Sequence, residues 1–464
     1  MKRTLQTTIV FVSILASHLF VFLAFYPGIC SYDLNAQIEQ YTTHDFCTSH
    51  PLLHTLYVGF LSNFFKSAEF GGDINLGYAV ATVIQLIVVT GATTYSAIYL
   101  YTLSKKTSVL IFTAIFYAVF PVNSLLAISH TKDVLFGAFG LIFLIDSIRI
   151  LSGHLSREKA LFYIRSVINI SLMSLMRNNA IYALAVSLVI LLIILIRNKN
   201  DYTILRKYML VLLSSVLLSI SANKMLIITT DATPGSIKEM MSVPAQIMGR
   251  IYNEAATNEE KEIISQYIPN TDEYNFYLAD PMKHYLPFEI WESKCKHFLF
   301  DSAILSLHHP IVAIKAVWFN VQGFLDPFHQ PYSYDRYYLA YSSYRGGATL
   351  DSKIPQLCDL YLGLFSSTAQ YRHLPVVIFF NLGIYVWLCI VSLIIHVHRK
   401  EHAFSISYLF PVLYLFTLLL GPGAIMRYGY LYVLIAPISI YLFRANNNTF
   451  PTPIPCHNRQ MADS

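Results

Sequence analysis

The chain has 464 residues, 55% of them hydrophobic and only 13% charged, and a mean hydropathy of +0.50. That balance excludes a soluble globular protein; apolar runs of about 20 residues, rather than alternating segments of about 10, exclude a β-barrel and point to an all-α polytopic membrane protein. The formal net charge of +5 is spread over short loop caps and forms no basic domain, so nucleic acid is not an expected partner.

In chain order, the first apolar run, 4–25, follows Lys2 and Arg3. It is long for a signal-peptide core and no A-x-A site follows it, so we read an uncleaved first span with a cytoplasmic N-terminus. An external loop over 27–73 comes next. Further spans are expected at 74–101, 107–129, 133–151, 164–177, 179–197, 208–228, 374–397, 402–420 and 427–443, about ten with the first. This order puts Lys105-Lys106, Arg157-Glu158-Lys159, Arg197-Asn198-Lys199, Arg206-Lys207 and His398-Arg399-Lys400 on the cytoplasmic side, as the positive-inside rule requires. The run 309–327 is apolar but holds Lys315, Asn320 and Gln322. If it crossed, His398-Arg399-Lys400 would lie outside, so an interfacial or re-entrant helix is expected.

The expected organisation is an N-terminal transmembrane module (1–228) and an external domain (229–373) that includes the interfacial helix. A C-terminal transmembrane hairpin and last span (374–443) and a disordered cytoplasmic tail (444–464) follow. Cys30 and Cys47 share the first external loop, and Cys295 and Cys358 the second; disulfides and free thiols are both open. No Cys/His spacing suggests a zinc site.

The polar residues sort by side. Tyr32, Asp33 and Gln37, then His50, then His130, Thr131, Lys132 and Asp133 fall at external span ends or in the first loop. So do Arg177, Asn178, Asn179, Arg372, His373 and Arg427. The mid-depth parts of most spans are apolar, the layout of an outward-facing site rather than a conduit. Each residue has a plainer reading. Arg177 and Arg427 could be snorkelling anchors. Lys132 and Asp133 could form a local ion pair, Asp33 could cap a helix that begins at Leu34, and His50-Pro51 could start a helix. The functional reading joins them: one carboxylate serves as general base on a hydroxyl, and several cations neutralise a phosphate. A lipid-linked sugar phosphate needs that combination.

With these residues in place, the chain resembles the GT-C superfamily of integral-membrane glycosyltransferases, which includes the protein O-mannosyltransferases and the bacterial lipid A aminoarabinose transferases. Asp33 matches the acid that opens their first external loop, and His50-Pro51-Leu52 resembles their His-Pro element. Asp133 would be the counterpart of their second external acid. Leu34 stands where a second, paired acid is common. The resemblance is strongest over the first 180 residues or so; later, MMSVPAQIMGRIYNE, DPMKH and RYGYLYVL are similar to GT-C-like bacterial proteins with no role attached.

The resemblance implies an inverting transferase with its site on the external face; short loops, a compact length and no endoplasmic-reticulum retrieval motif point to a bacterial inner membrane, and the span count puts both termini in the cytoplasm. Asp33 and Asp133 would be catalytic, and Tyr32, Gln37, His50, His130, Lys132, Arg177, Arg372 and Arg427 would bind substrate. The donor would be a polyprenyl-phosphate sugar, and the acceptor a glycan, lipid or protein hydroxyl. No cofactor is expected: a divalent metal between the two acids is not favoured, because a neighbouring lysine makes a thin ligand set. The competing functions are a surface-polysaccharide polymerase or ligase and a flippase or transporter. The latter is disfavoured by the lack of midplane charge and of repeated halves.

Overall fold

Helix α1 (Lys2–Ala24) leads through a short strand, β1 (Ile29–Cys30), into α2 (Tyr32–Thr43) and α3 (Leu52–Lys66). The computed structural model describes residues 2–66, 72–153, 159–197, 203–328, 348–366 and 381–444. Helix α4 (Ile74–Ser104) is capped by Asp73, whose side chain accepts from the Asn75 amide. Helices α5 (Thr107–Val119) and α6 (Pro121–Ala127) follow at a 55° bend. The break has a local cause: Pro121 brings no amide hydrogen and forces Phe120 into an extended conformation, ψ 118°. So the apolar run 107–129 is bent at Pro121, the shape of a broken or re-entrant segment rather than a straight span.

Strand β2 (Ser129–His130) pairs in parallel with β1 and fixes the end of α1 beside the start of α7 (Lys132–Leu151). Gly28 makes the approach possible, at a φ of +122° that L side chains rarely adopt, and a Cβ there would lie 2.4 Å from Thr82 Oγ1. Next come α8 (Lys159–Met176), α9 (Ala180–Arg197) and α10 (Thr203–Thr230). Burial separates the roles of these helices. The apolar window of α7 is 78% buried, whereas those of α9 and α10 are 28% buried and offer Leu210, Leu213, Leu217 and Val189 outward, as lipid-facing helices do. Helix α7 is the central post. Its buried Asp146 accepts from Tyr95 Oη on α4 at 2.8 Å and from Ser166 on α8, and pairs with Arg165. A carboxylate in the core must be paired, and this one joins three helices.

Residues 231–328 form a separate helical unit: α11 (Ser242–Glu254), α12 (Asn258–Tyr267), α13 (Phe288–Glu292), α14 (Cys295–His308) and α15 (Pro310–Leu325). They enclose a core of their own around Met241, Met248, Ile251, Ile264, Phe298 and Leu305. Arg250 is buried there because every face finds a partner: Tyr274 Oη at 2.9 Å, Glu254 at 2.7 Å, the Phe276 carbonyl at 2.9 Å and the Phe319 ring. Helices α14 and α15 meet at 111°. The apolar 309–327 run is thus one arm of a sharp bend, the shape of a broken or re-entrant segment. Helix α16 (Pro355–Ser366) packs on α1, and α17 (Leu382–His398), α18 (His402–Leu419) and α19 (Tyr430–Arg444) complete the bundle.

Among the described residues, seven helices are long and apolar enough to cross a membrane, nine if each bent pair counts as one span; α8 and α17 are shorter apolar helices. The chain is therefore an all-α multi-pass membrane protein. Cys30, Cys47, Cys295 and Cys358 are free thiols, so neither matched pair is bridged. The expected tail, 445–464, lies outside the described residues.

Candidate functional site

Short connections place successive helices antiparallel, so the ends of α1, α6, α8, α10 and α18 gather at one pole with the starts of α4, α7, α9, α17 and α19. Helix α2 and the 231–328 unit sit at that pole. The loop before α3 is tied there by backbone hydrogen bonds, Thr48 N–H to the Thr233 carbonyl and Thr233 N–H to the Phe46 carbonyl, both at 2.9 Å, and by Asn178, which donates to the Thr48 carbonyl at 3.1 Å. Between these parts lies a cavity of about 930 Å³ lined by Asp33, His50, Lys132, Arg177 and Arg427 from the bundle side. Glu239, Asp280, Lys283 and His284 line it from the other.

Asp33 does not cap α2. Ser31 occupies the cap position, and Asp33 stands in the first helical turn, where the positive end of the helix favours an anion. Its Oδ2 accepts from Arg427 Nη1 at 3.0 Å and lies 3.5 Å from Lys132 Nζ. Burial alone would raise this carboxyl, but Arg427, then Lys132 and His50, hold it well below the usual carboxylate range. Lys132 also donates to His50 Nδ1 at 3.1 Å. An ammonium can only donate, so Nδ1 accepts and the proton of neutral His50 sits on Nε2. Burial first, then Lys132, lowers His50 to about 4, so the ring is neutral at pH 7.

Arg427 stands in a single 3-10 turn, Met426–Gly429, at the entrance to α19. Gly429 lets the turn pack closely: a Cβ would come within 2.2 Å of Leu382 Cδ1, and that side chain would have to move. The guanidinium Nε lies 3.8 Å from Asp133 Oδ2, and Asp133 Oδ1 pairs with Arg177 Nη1 at 2.8 Å. Thr131 caps α7 and donates to Asp133 Oδ2 at 2.8 Å. The Tyr428 ring lies between the two guanidinium groups, 4.6 Å from that of Arg177 and 5.2 Å from that of Arg427. The pattern Asp33–Arg427–Asp133–Arg177 is one continuous charged chain assembled from four distant pieces of sequence.

The expected site residues divide. Asp33, His50, Lys132, Arg177 and Arg427 share the cavity wall. Asp133 is not exposed to it: the side chain is 1% accessible and sits behind the two arginines, so it holds them rather than meeting a ligand. Nor do Lys132 and Asp133 form a local pair; they point to different partners. Gln37 is a buried brace to His54 and Thr55, at 3.0 and 3.1 Å. His130 is buried against Thr82 Oγ1 at 2.7 Å, away from the cavity. Tyr32 opens α2, but its side chain is not among those described, and Arg372 lies outside the described residues. Among the described residues, no group of three or more His, Cys, Asp or Glu could hold a metal ion.

Sequence reasoning missed the far wall. Lys283 donates to Asp280 Oδ1 at 2.8 Å and to Glu239 Oε2 at 2.7 Å. Burial would lower Lys283, but those two carboxylates lift it above its ordinary value. The wall is pinned to the bundle: the Ala279 and Asp280 amides donate to the Pro422 carbonyl, while Asn320 bridges the Ala279 amide at 3.1 Å and the Gly421 carbonyl at 2.8 Å. The available signal was DPMKH itself, a compact charged segment in an otherwise Tyr-rich region, but nothing in its spacing names Glu239 as a partner.

Fold and site together define a multi-pass helical membrane protein with a charged cavity at one pole of the bundle. A family profile described as "Family of unknown function (DUF6020)" matches residues 39–450, and the chain belongs to that family. The matched stretch contains His50, Lys132, Asp133, Arg177 and Arg427 and begins after Asp33. No curated protein matches the chain.

Proposed function

We propose that the protein is a membrane glycosyltransferase of GT-C type that moves a sugar from a polyprenyl-phosphate donor to an acceptor hydroxyl at the outer face of a bacterial inner membrane. The observation that carries this reading is the sharing of one carboxylate, Asp33, between Arg427 at 3.0 Å and Lys132 at 3.5 Å on the wall of a single cavity. Lys105, Lys106, Arg197 and Lys400 lie at the opposite pole, which supports an outward-facing cavity.

A resting Asp33 is a poor base, because two cations stabilise its anion. A phosphate that enters the cavity competes for Lys132 and Arg427 and has more oxygens with which to take charge-assisted hydrogen bonds. Asp33 then loses stabilisation and gains basicity when the donor is bound. In the transfer step Asp33 accepts the proton of the acceptor hydroxyl, and the oxygen forms a bond to the anomeric carbon. The carbon–oxygen bond to phosphate breaks, and the electron pair leaves with the polyprenyl phosphate. Lys132, Arg427 and the Nε2–H of His50 hold the charge that develops there. Arg177 lines the same wall, and Asp133 fixes it and Arg427 in place.

The test is reconstitution of the purified chain in lipid nanodiscs with a panel of polyprenyl-phosphate sugars and a surface-glycan acceptor, reading release of polyprenyl phosphate. Release that requires both substrates supports the reading. A panel in which no donor is consumed overturns it.

A further inference from the structure

Helices α8 and α10 run side by side and leave a groove between them. Both rise from the pole opposite the charged cavity, so they are parallel, and the Ser171 hydroxyl donates to the Ser215 carbonyl at 3.1 Å. The same offset along the two helices brings Tyr163 level with Lys207. These two residues stand at one end of the groove, which measures about 490 Å³, and its wall beyond them is apolar except for the small Ser214. Ile164, Ile168, Leu210 and Leu218 are exposed along it, on helices whose outer faces meet lipid. Among the described residues no carboxylate pairs with Lys207 or with Arg206 before it, and the Tyr163 hydroxyl has no hydrogen-bond partner. One end of an apolar groove thus carries a cation and an O–H donor whose polar atoms engage none of the described residues.

We infer that this groove binds one anionic glycerophospholipid from the leaflet on that side, with an acyl chain along the groove and the phosphate at Lys207 and Tyr163. Length supports it. From Lys207 to Leu218 the groove follows α10 for about 16 Å at 1.5 Å per residue, and half of a hydrocarbon core of about 30 Å is about 15 Å. The groove is therefore one leaflet long, and its cation sits at headgroup depth. Chemistry supports it too. The Lys207 ammonium gives a phosphodiester oxygen a charge-assisted hydrogen bond, and the Tyr163 O–H serves a second oxygen of the same headgroup. A choline headgroup brings its own cation to a place already held by Lys207 and Arg206, so an anionic lipid is favoured over a zwitterionic one. The site lies at the pole opposite the charged cavity and does not depend on the transferase reading.

Native mass spectrometry of the full chain in detergent tests this. The protein is titrated with palmitoyl-oleoyl phosphatidylglycerol, with phosphatidylcholine of the same chains, and with glycerol phosphate as a free anion. The first phosphatidylglycerol is expected to bind about fivefold more tightly than phosphatidylcholine, the effect of one well-placed cation. Lys207→Gln removes that preference, whereas Lys106→Gln, at an exposed cation of the same pole outside the groove, keeps it. Ile164→Trp narrows the groove and weakens both lipids. All three side chains are exposed, so the fold tolerates the changes, and an unaltered thermal midpoint checks this. Equal binding of the two lipids by wild type, a preference that survives in Lys207→Gln, or one that Lys106→Gln abolishes as well overturns the inference. So does glycerol phosphate binding as tightly as the lipid, which would make this a free-anion site. A dimer that Ile164→Trp converts to monomer, with no lipid retained, would assign the groove to a second copy of the chain and overturn it too.

Discussion

Arg427 is the residue on which the charged chain turns. Its side chain is 3% accessible and touches both Asp33 and Asp133, so truncation leaves two carboxylates short of a partner. Breaking a buried pair on one side costs about 3–5 kcal/mol, far more than a surface pair is worth. Arg427→Ala is expected to lower the thermal midpoint by several degrees in detergent. Arg427→Lys should lose less, because a point charge can meet one carboxylate but not fork between two. His50 gives a pH signature. Its folded value is lowered from 6.5 to about 4, so between these pH values the unfolded chain binds the proton that the folded chain refuses. Stability is then expected to fall as pH drops from 6.5 towards 4, and His50→Gln should make that part of the profile shallower without levelling it, because burial also lowers His54 and His130. Asp33 acts in the other direction. Its contribution is complete above the ordinary carboxylate value and is lost only in stronger acid, so it leaves the His50 window untouched.

At the scale of elements, the far wall depends on one amide side chain. Asn320 on α15 bridges the 278–280 turn to the loop between α18 and α19. Asn320→Ala leaves the Gly421 carbonyl without that donor, at a cost of about 1–3 kcal/mol. Amide hydrogen exchange is expected to quicken over 278–285 and stay unchanged in α7. Quickening across the whole chain would mean that Asn320 supports the fold and not the wall. Most helices were legible from the sequence, because a bilayer demands about 20 apolar residues and the chain supplies them in blocks bounded by Lys and Arg. The break at Pro121 is legible in principle, but the unbroken apolar run around it reads as a straight span. The 231–328 unit was not legible as structure, since α11 and α12 and the 3-10 turn at Asp280–Tyr285 are short and packed by a core that only tertiary contact reveals.

At the scale of the molecule, one pole holds the charged cavity and the other the positive loop charge. Ser49 lines the cavity, and Lys105 is exposed at the opposite pole. With an impermeant thiol reagent on intact cells, Ser49→Cys is expected to label directly and Lys105→Cys only after permeabilisation; the reverse would turn the protein over. The sequence showed which polar residues share a depth, but not who pairs with whom. Asp33 and Arg427 are 394 positions apart, and no local pattern can encode that contact. Nor could it distinguish His50, which lines the cavity, from His130, which is buried away from it, because both precede helices at the same level.

In the proposed reaction, donor phosphate displaces Asp33 from Lys132 and Arg427. Binding of a short polyprenyl phosphate to wild type and to Asp33→Asn, measured beside turnover on the same samples, tests it most directly. Expected is tighter phosphate binding by the variant, about threefold to tenfold because a competing anion is gone, with transfer reduced by about 10² or more. Weaker phosphate binding by Asp33→Asn, or turnover preserved in it, would contradict the claim.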